Sequence, residues 1–235
     1  MSSAGRLLRM AGFLCGGLQA MPAGAADPSA YLVLTTDYVF RGVTYSDGHP
    51  AVQGGADLAL DGGVYFGIWA SSVDLSNGPT RQRDLEVNYY LGYSHELHRD
   101  WTLDVNAIAY AYPGTEGDID YDYFEYSIAA NYKDRAWLEY SYSPDLFHSA
   151  RATHHVELYA EWPLPGAFLL GAGAGYYDVS ALAGSGYAYW QLGVTRPAGR
   201  FDIDLRYHDA SRAVAIISTE ERAEARIVLS ARLSF

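Results

Sequence analysis

From Tyr31 to Phe235 apolar and polar side chains alternate with a period of two over successive segments of about ten residues, parted by clusters of turn-forming residues. A strand needs that period to present one apolar and one polar face. The first segment, Tyr31 to Arg41, sets Leu32, Leu34, Tyr38 and Phe40 against Thr35, Asp37 and Arg41, and GVTYSDGHP follows as a loop. Pro50 to Asp61 repeats the alternation, and Asp61-Gly62-Gly63 predicts a tight hairpin into Val64–Val73. In that third segment both faces are apolar, so alternation does not assign Trp69 to a side. Further segments follow at Asp84–Ser94, Trp101–Tyr112, Asp122–Tyr132, Arg135–Ser143, His155–Trp162, Ala167–Tyr177, Tyr187–Thr195, Phe201–Asp209 and Glu224–Phe235.

The count is about twelve strands, and the connections alternate short and long from end to end. Short turns on one side and longer loops on the other, with both termini on the short-turn side, are the plan of an outer-membrane barrel. Twelve strands of about ten residues would use roughly 120 of the approximately 210 residues that follow a leader. The expected fold is therefore all-β, a transmembrane antiparallel up-and-down β-barrel forming one domain over 27–235. A soluble β-sandwich or lipocalin-like barrel would alternate equally well. Three features favour lipid: a terminal aromatic, Phe235, like the C-terminal signal read by the barrel-assembly machinery; a secretory leader; and polar faces carrying paired charges such as Asp202 with Asp204 and Glu157 with Glu161. Trp101, Trp162, Tyr93 and Tyr176 near strand ends suit interfacial girdles.

Residues 1–26 read as the leader, with Arg6 and Arg9 ahead of an apolar stretch from Met10 to Ala20 and an Ala23-Gly24-Ala25 cleavage site near Ala25 or Ala26. Cys15 is the only cysteine, and Leu14 before it does not suit lipidation. Cleavage leaves no thiol, which excludes disulfides and cysteine-based metal or catalytic sites. No run reaches the roughly 18 apolar residues of a spanning helix, a test that barrel strands escape. Loss of Arg6 and Arg9 takes the formal charge from −12 to −14, which argues against nucleic acid as a partner.

The run TTDYVFRGVTYSDGHPAVQGG (Thr35–Gly55), then GIWASSVD (Gly67–Asp74), AYAYPG (Ala109–Gly114) and DYDYFEYS (Asp120–Ser127), resembles the Gcw-type family of conserved hypothetical proteins of Gram-negative bacteria. Asn88 departs from it, standing where the pattern Glu-x-Asp after Glu86 has an acid. The resemblance implies an outer-membrane barrel in a Gram-negative cell and names no substrate.

A barrel of twelve strands is wider than side chains alone fill, so the polar faces should line a lumen. The expected pore-lining residues are Asp37, Arg41, Asp57, Glu86, Asn88, Asp104, Glu125, Glu139, Glu157, Glu161, Asp202, Asp204 and Arg206, with Asp84, Arg226 and Arg232 also on polar faces. Acid exceeds base, and rings of carboxylates favour cations. The reading is a porin-like channel for cations or small polar solutes; the alternatives are a non-conducting structural or surface-interaction barrel and, behind both, a hydrolase. No enzyme or cofactor is expected. A hydrolase would need a Ser and a His together at the lipid face, whereas His155 and His208 fall on polar faces, and AGSG at 183–186 misses the G-x-S-x-G elbow. His49, His95, His98, His148 and His154 are expected in loops. Asp118, Asp120 and Asp122 are weak metal candidates: the loop begins like a calcium loop but has Tyr123 at the sixth position and Ala129 at the twelfth. Outer-membrane lipid and lipopolysaccharide are the expected surroundings.

Overall fold

A computed structural model describes residues 27–75, 84–113, 120–211 and 220–235. The expected leader, 1–26, and Asp118 lie outside the described residues. The wall is built from β1 (Asp27–Thr35), β4 (Ala51–Ala59), β5 (Val64–Val73), β6 (Asp84–His98), β7 (Trp101–Ala111) and β8 (Tyr123–Tyr132). It continues through β9 (Ala136–Ser143), β10 (Thr153–Leu164), β11 (Phe168–Asp178), β12 (Tyr187–Ala198), β13 (Phe201–Ala210) and β14 (Arg226–Ser234). These twelve strands form a closed antiparallel barrel in which each pairs with its neighbours in sequence and β14 returns to β1. At that seam Tyr31 faces Ser234 and Thr35 faces Ser230, and the Phe235 amide donates to the Ala30 carbonyl at 2.9 Å.

Alternation sorts the side chains between two media. Outward positions are apolar and open, with Leu34 63%, Leu158 56% and Leu229 48% exposed, while their sequence neighbours Thr35, Glu157 and Ser230 turn into the barrel. A soluble barrel would keep its apolar face inside, so the apolar exterior is that of a strand wall facing lipid. Trp69, left undecided by the sequence, points inward. Trp101, Trp162, Tyr93 and Tyr176 point outward.

Three expectations need correction. The first strand ends at Thr35 rather than Arg41, because Tyr38 and Phe40, apolar in phase with Leu32 and Leu34, are 1% and 5% exposed and serve an interior cluster instead of lipid. The segment HELHRD is not a turn throughout: β6 runs to His98 with an irregularity between Glu96 and His98, so His95 and His98 are strand residues. His154 also lies on a strand, facing outward on β10 beside Tyr140.

Residues 36–50 fold into the barrel instead of projecting from it. They carry a miniature hairpin, β2 (Val39–Phe40) and β3 (Val43–Thr44), paired Val39 to Thr44 and Phe40 to Val43. Its two-residue turn, Arg41-Gly42, has φ of 48° and 81°, the left-handed pair that a tight hairpin of this length requires. A Cβ on residue 42 would stand 2.7 Å from Cβ of Tyr189, so only glycine lets the tip lie against β12. Around this plug sits a core of aromatic rings on the long-loop side of the lumen, including Tyr110 stacked on Tyr123 at 4.3 Å.

Candidate functional site

The lumen is organised by two ion pairs that hold the plug and by a set of tyrosines that hold the acids. At the plug tip the Arg41 guanidinium donates twice to Glu125 of β8, at 2.9 and 2.7 Å, with both side chains buried. Its planar face lies over the rings of Phe40 and Tyr177, 4.7 and 4.6 Å from the centroids. At the base, Asp37 accepts from Thr44 Oγ1 at 2.5 Å, Ser46 Oγ at 2.8 Å and Arg226 Nη1 of β14 at 2.7 Å. Asp37 and Arg41, expected on the wall, therefore belong to the plug. That is the physical result of β1 ending at Thr35.

The other expected lining residues face the interior from the wall. Arg206 binds Asp204 through Nε and Nη2 at 3.1 and 3.0 Å and reaches Gln191 at 3.1 Å, and Thr195 donates to Asp204 at 2.6 Å. Asp202 stands opposite Arg232 in the ladder. The remaining acids are met by neutral donors. Glu86 accepts from Tyr38 and Asn88, Glu139 from Ser141, and Glu161 from Tyr159.

Three acids are reached by a repeated device that spans three strands. Tyr90 of β6 faces Gly67 of β5, which faces Asp57 of β4, and the Tyr90 hydroxyl donates to Asp57. Tyr189 of β12 faces Gly175 of β11, which faces Glu157 of β10, and the hydroxyl donates to Glu157 at 2.9 Å. Tyr65 of β5 faces Gly92 of β6, which faces Asn106 of β7, and the Tyr65 hydroxyl reaches diagonally to Asp104, two residues along β7, at 2.7 Å. In each case the glycine is what allows the ring to lie across the middle strand: a Cβ at Gly92 would meet the Tyr65 hydroxyl at 2.2 Å. Burying a carboxylate without partners costs several kcal/mol, and the phenol donors offset part of that cost. Sequence reading assigned Tyr93 and Tyr176 to the interface and did not pair the inward tyrosines with the acids; a glycine on the polar face of the intervening strand is the feature that marks each pair.

Under the plug tip a cavity of about 20 Å³, room for roughly one water-sized occupant, is lined by Arg41, Glu125, Glu139, His155, Glu157 and Tyr189, among others. His155 and His208, both 4% exposed or less, are buried in the lumen away from the outer surface where a hydrolytic pair would have to meet lipid. Of the weak metal candidates, Asp120 lies 3.3 Å from His148 and accepts from the Asp122 amide, while Asp122 caps the Tyr112 amide at 2.7 Å. These are loop ties. Among the described residues, Asp47, His49 and Asp74 form a group of three possible ligands within 4.8 Å of one another, where the plug leaves the wall.

The family model Gcw_chp, described as a bacterial protein of unknown function, matches residues 19–232. No curated protein matches the chain in sequence. Among solved structures the barrel is similar to a KdgM porin, with TM-score 0.54 and 10% identity over 88% of this chain and 99% of that one. It is similar to the COG4313 outer membrane channel of Pseudomonas putida F1, with TM-score 0.50 and 13% identity over 93% and 97% of the two chains. It also resembles the outer membrane phospholipase A of Escherichia coli, at TM-score 0.50 and 14% identity over 87% and 89%. At these identities the likeness is one of fold: this is an outer-membrane β-barrel.

Proposed function

The chain belongs to the Gcw_chp family of bacterial proteins of unknown function, and we propose that it is an outer-membrane pore for cations or small polar solutes, closed by its seated plug. One observation carries the reading. What fills the lumen of a twelve-strand wall is a loop segment, 36–50, pinned by side-chain ion pairs at Arg41 and Asp37, and the wall around it is polar and acid-rich. Its tip, residues 39–44, is held to the far wall by side-chain contacts and can leave without breaking the wall ladder, while the base stays bonded through Thr36 to Leu229. The pore-lining set would then be Asp57, Glu86, Asn88, Asp104, Glu125, Glu139, Glu157, Glu161, Asp202, Asp204 and Arg206.

The acid excess bears on the solute. A KdgM porin has been solved in complex with disordered oligogalacturonate, a polyanion. A lumen in which carboxylates outnumber guanidinium groups would repel such a ligand, so this chain should pass cations or neutral solutes. The proposal also includes removal of residues 1–26, a single barrel domain over 27–235, both termini in the periplasm, and insertion by the barrel-assembly machinery through the strand ending at Phe235.

A second reading, a non-conducting structural barrel, is favoured by the aromatic core around the plug and by the small cavity beneath it. The phospholipase A likeness keeps a hydrolase as a third, though His155 and His208 are buried in the lumen. Single-channel recording of the refolded chain in planar bilayers, under a salt gradient, separates the first two. Stepwise cation-selective openings, with selectivity reduced in Glu157→Gln and Asp204→Asn, are expected. A folded, heat-modifiable barrel that stays silent at every voltage overturns the pore.

A further inference from the structure

The proton bookkeeping around His155 leaves one nitrogen without a partner. Tyr189 has a single hydroxyl proton, and it is donated to Glu157 Oε2 at 2.9 Å. The 2.6 Å contact between Tyr189 Oη and His155 Nε2 must then be donated by the ring, which puts the imidazole proton on Nε2 and the lone pair of the neutral ring on Nδ1. Nδ1 has no hydrogen-bond partner, on a side chain that is 2% exposed. Glu139 Oε1 stands 3.9 Å from it, too far for a hydrogen bond and of the same polarity as the lone pair. Both groups line the cavity beneath the plug tip.

We propose that this cavity is a binding site for one divalent transition-metal ion, held by His155 Nδ1 and the Glu139 carboxylate. The gap between the two donor atoms admits an ion bonded to each at about 2.0–2.2 Å. The chemistry of the wall points the same way: three carboxyl groups, Glu125, Glu139 and Glu157, line the cavity against a single guanidinium, Arg41, which is already paired with Glu125. An imidazole nitrogen with a carboxylate oxygen suits zinc and its neighbours better than calcium or magnesium, which take oxygen. The outer partners are those of a metal-bound histidine. Nε2–H is fixed by Tyr189, which is fixed by Glu157, and Glu157 accepts from Gln191 at 3.0 Å. Ser141 donates to Glu139 at 3.1 Å and sets its rotamer.

The site does not depend on conduction, and its test is kept separate. The chain is refolded with zinc present, passed through a desalting column, and analysed for zinc per heat-modifiable barrel; cobalt substitution reads the ligand geometry from the visible spectrum. About one zinc per folded barrel is expected, with loss of at least tenfold in retained metal for His155→Gln and for Glu139→Gln. His154→Gln, on the outer face of the same strand, should retain the ion. Should His155→Gln fail to fold, Glu139→Gln, which keeps the shape of the side chain, carries the test, with zinc titration of the wild-type barrel read by the shift in its melting temperature. Folded wild-type barrels without stoichiometric zinc, or zinc that survives both lumen variants and is lost in His49→Gln, overturn the proposal. A silent barrel that holds zinc removes the pore and keeps the site; a conducting barrel without zinc does the reverse.

Discussion

Replacing Arg41 by alanine should release the plug tip. The change removes both hydrogen bonds to Glu125 and leaves that carboxylate buried 2% exposed among tyrosine rings. Breaking one side of a buried pair costs about 3–5 kcal/mol, mostly because the partner is left uncompensated. Loss of the stacking on Phe40 and Tyr177 adds about 0.5–2 kcal/mol per ring. The hairpin keeps its left-handed turn in the variant, so no strain is relieved to oppose these losses. At about 1.4 kcal/mol per tenfold change, the ratio of released to seated tip should rise by about three to six orders of magnitude. The chain lacks cysteine outside residues 1–26, which makes a reporter simple: Val43→Cys, on a residue 2% exposed in the seated plug, labelled with a membrane-impermeant maleimide. Labelling should be slow alone and faster by a comparable factor with Arg41→Ala, and open-channel current should rise in parallel. The double variant Arg41→Met with Glu125→Met, which removes both charges, should return most of the way to slow labelling. Equal labelling rates in wild type and Arg41→Ala, in barrels that both show heat-modifiable mobility, would refute the account of how the tip is held.

Two further outcomes follow from the same contacts. Gly63→Ala would place Cβ 2.1 Å from the Ser94 carbonyl oxygen at φ 91°, whereas Gly62, at φ 87°, has nothing within 4 Å; urea unfolding in lipid vesicles should show a loss of about 1–2 kcal/mol for Gly62→Ala and about 1–3 kcal/mol more for Gly63→Ala. Asp37→Asn weakens the charge-assisted bond to Arg226 and should cost about 1.5–3 kcal/mol in the same assay, with Val43→Cys labelling changed far less than by Arg41→Ala.

Much of the wall could be read from alternation because lipid and lumen impose opposite demands on successive residues. Val64–Val73 has the bounds read from the sequence, and Glu125, Glu139 and Glu157 alternate with exposed Phe124, Leu138 and Val156. The plug could not be read that way. Tyr38 and Phe40 stay in phase with the lipid-facing leucines of β1, and period two is the same whether an apolar ring meets lipid or the inside of a core. A separating cue was present in Arg41-Gly42, a two-residue turn between Val39-Phe40 and Val43-Thr44, masked by turn formers on both sides. The acids were found as a set and their partners were not. Pairing to Tyr65, Tyr90 and Tyr189 spans two strands' width across a glycine on the strand between, a relation that exists only once register is known.

The contacts divide the plug into a part that can move and a part that belongs to the wall. At its base, the Thr36 amide donates to the Leu229 carbonyl and Thr36 Oγ1 accepts from the Leu229 amide, at 2.9 and 3.0 Å, which prolongs the pairing of β1 with β14 by one residue. That seam has five paired positions against nine between β1 and β4, so its long-loop end relies on Thr36, on Arg226 with Asp37, and on Ser230 with Thr35. Pulling the base out would fray the place where the barrel closes. The tip meets β8 and β12 across the lumen only through side chains and the close approach of Gly42 to Tyr189. A closed barrel can lose those contacts, because the Tyr-Gly-acid connections brace the wall without the plug. Opening therefore should proceed by the tip, residues 39–44, swinging from a base that stays in the seam, and the first surface uncovered is the acidic cavity around Glu139, His155 and Glu157.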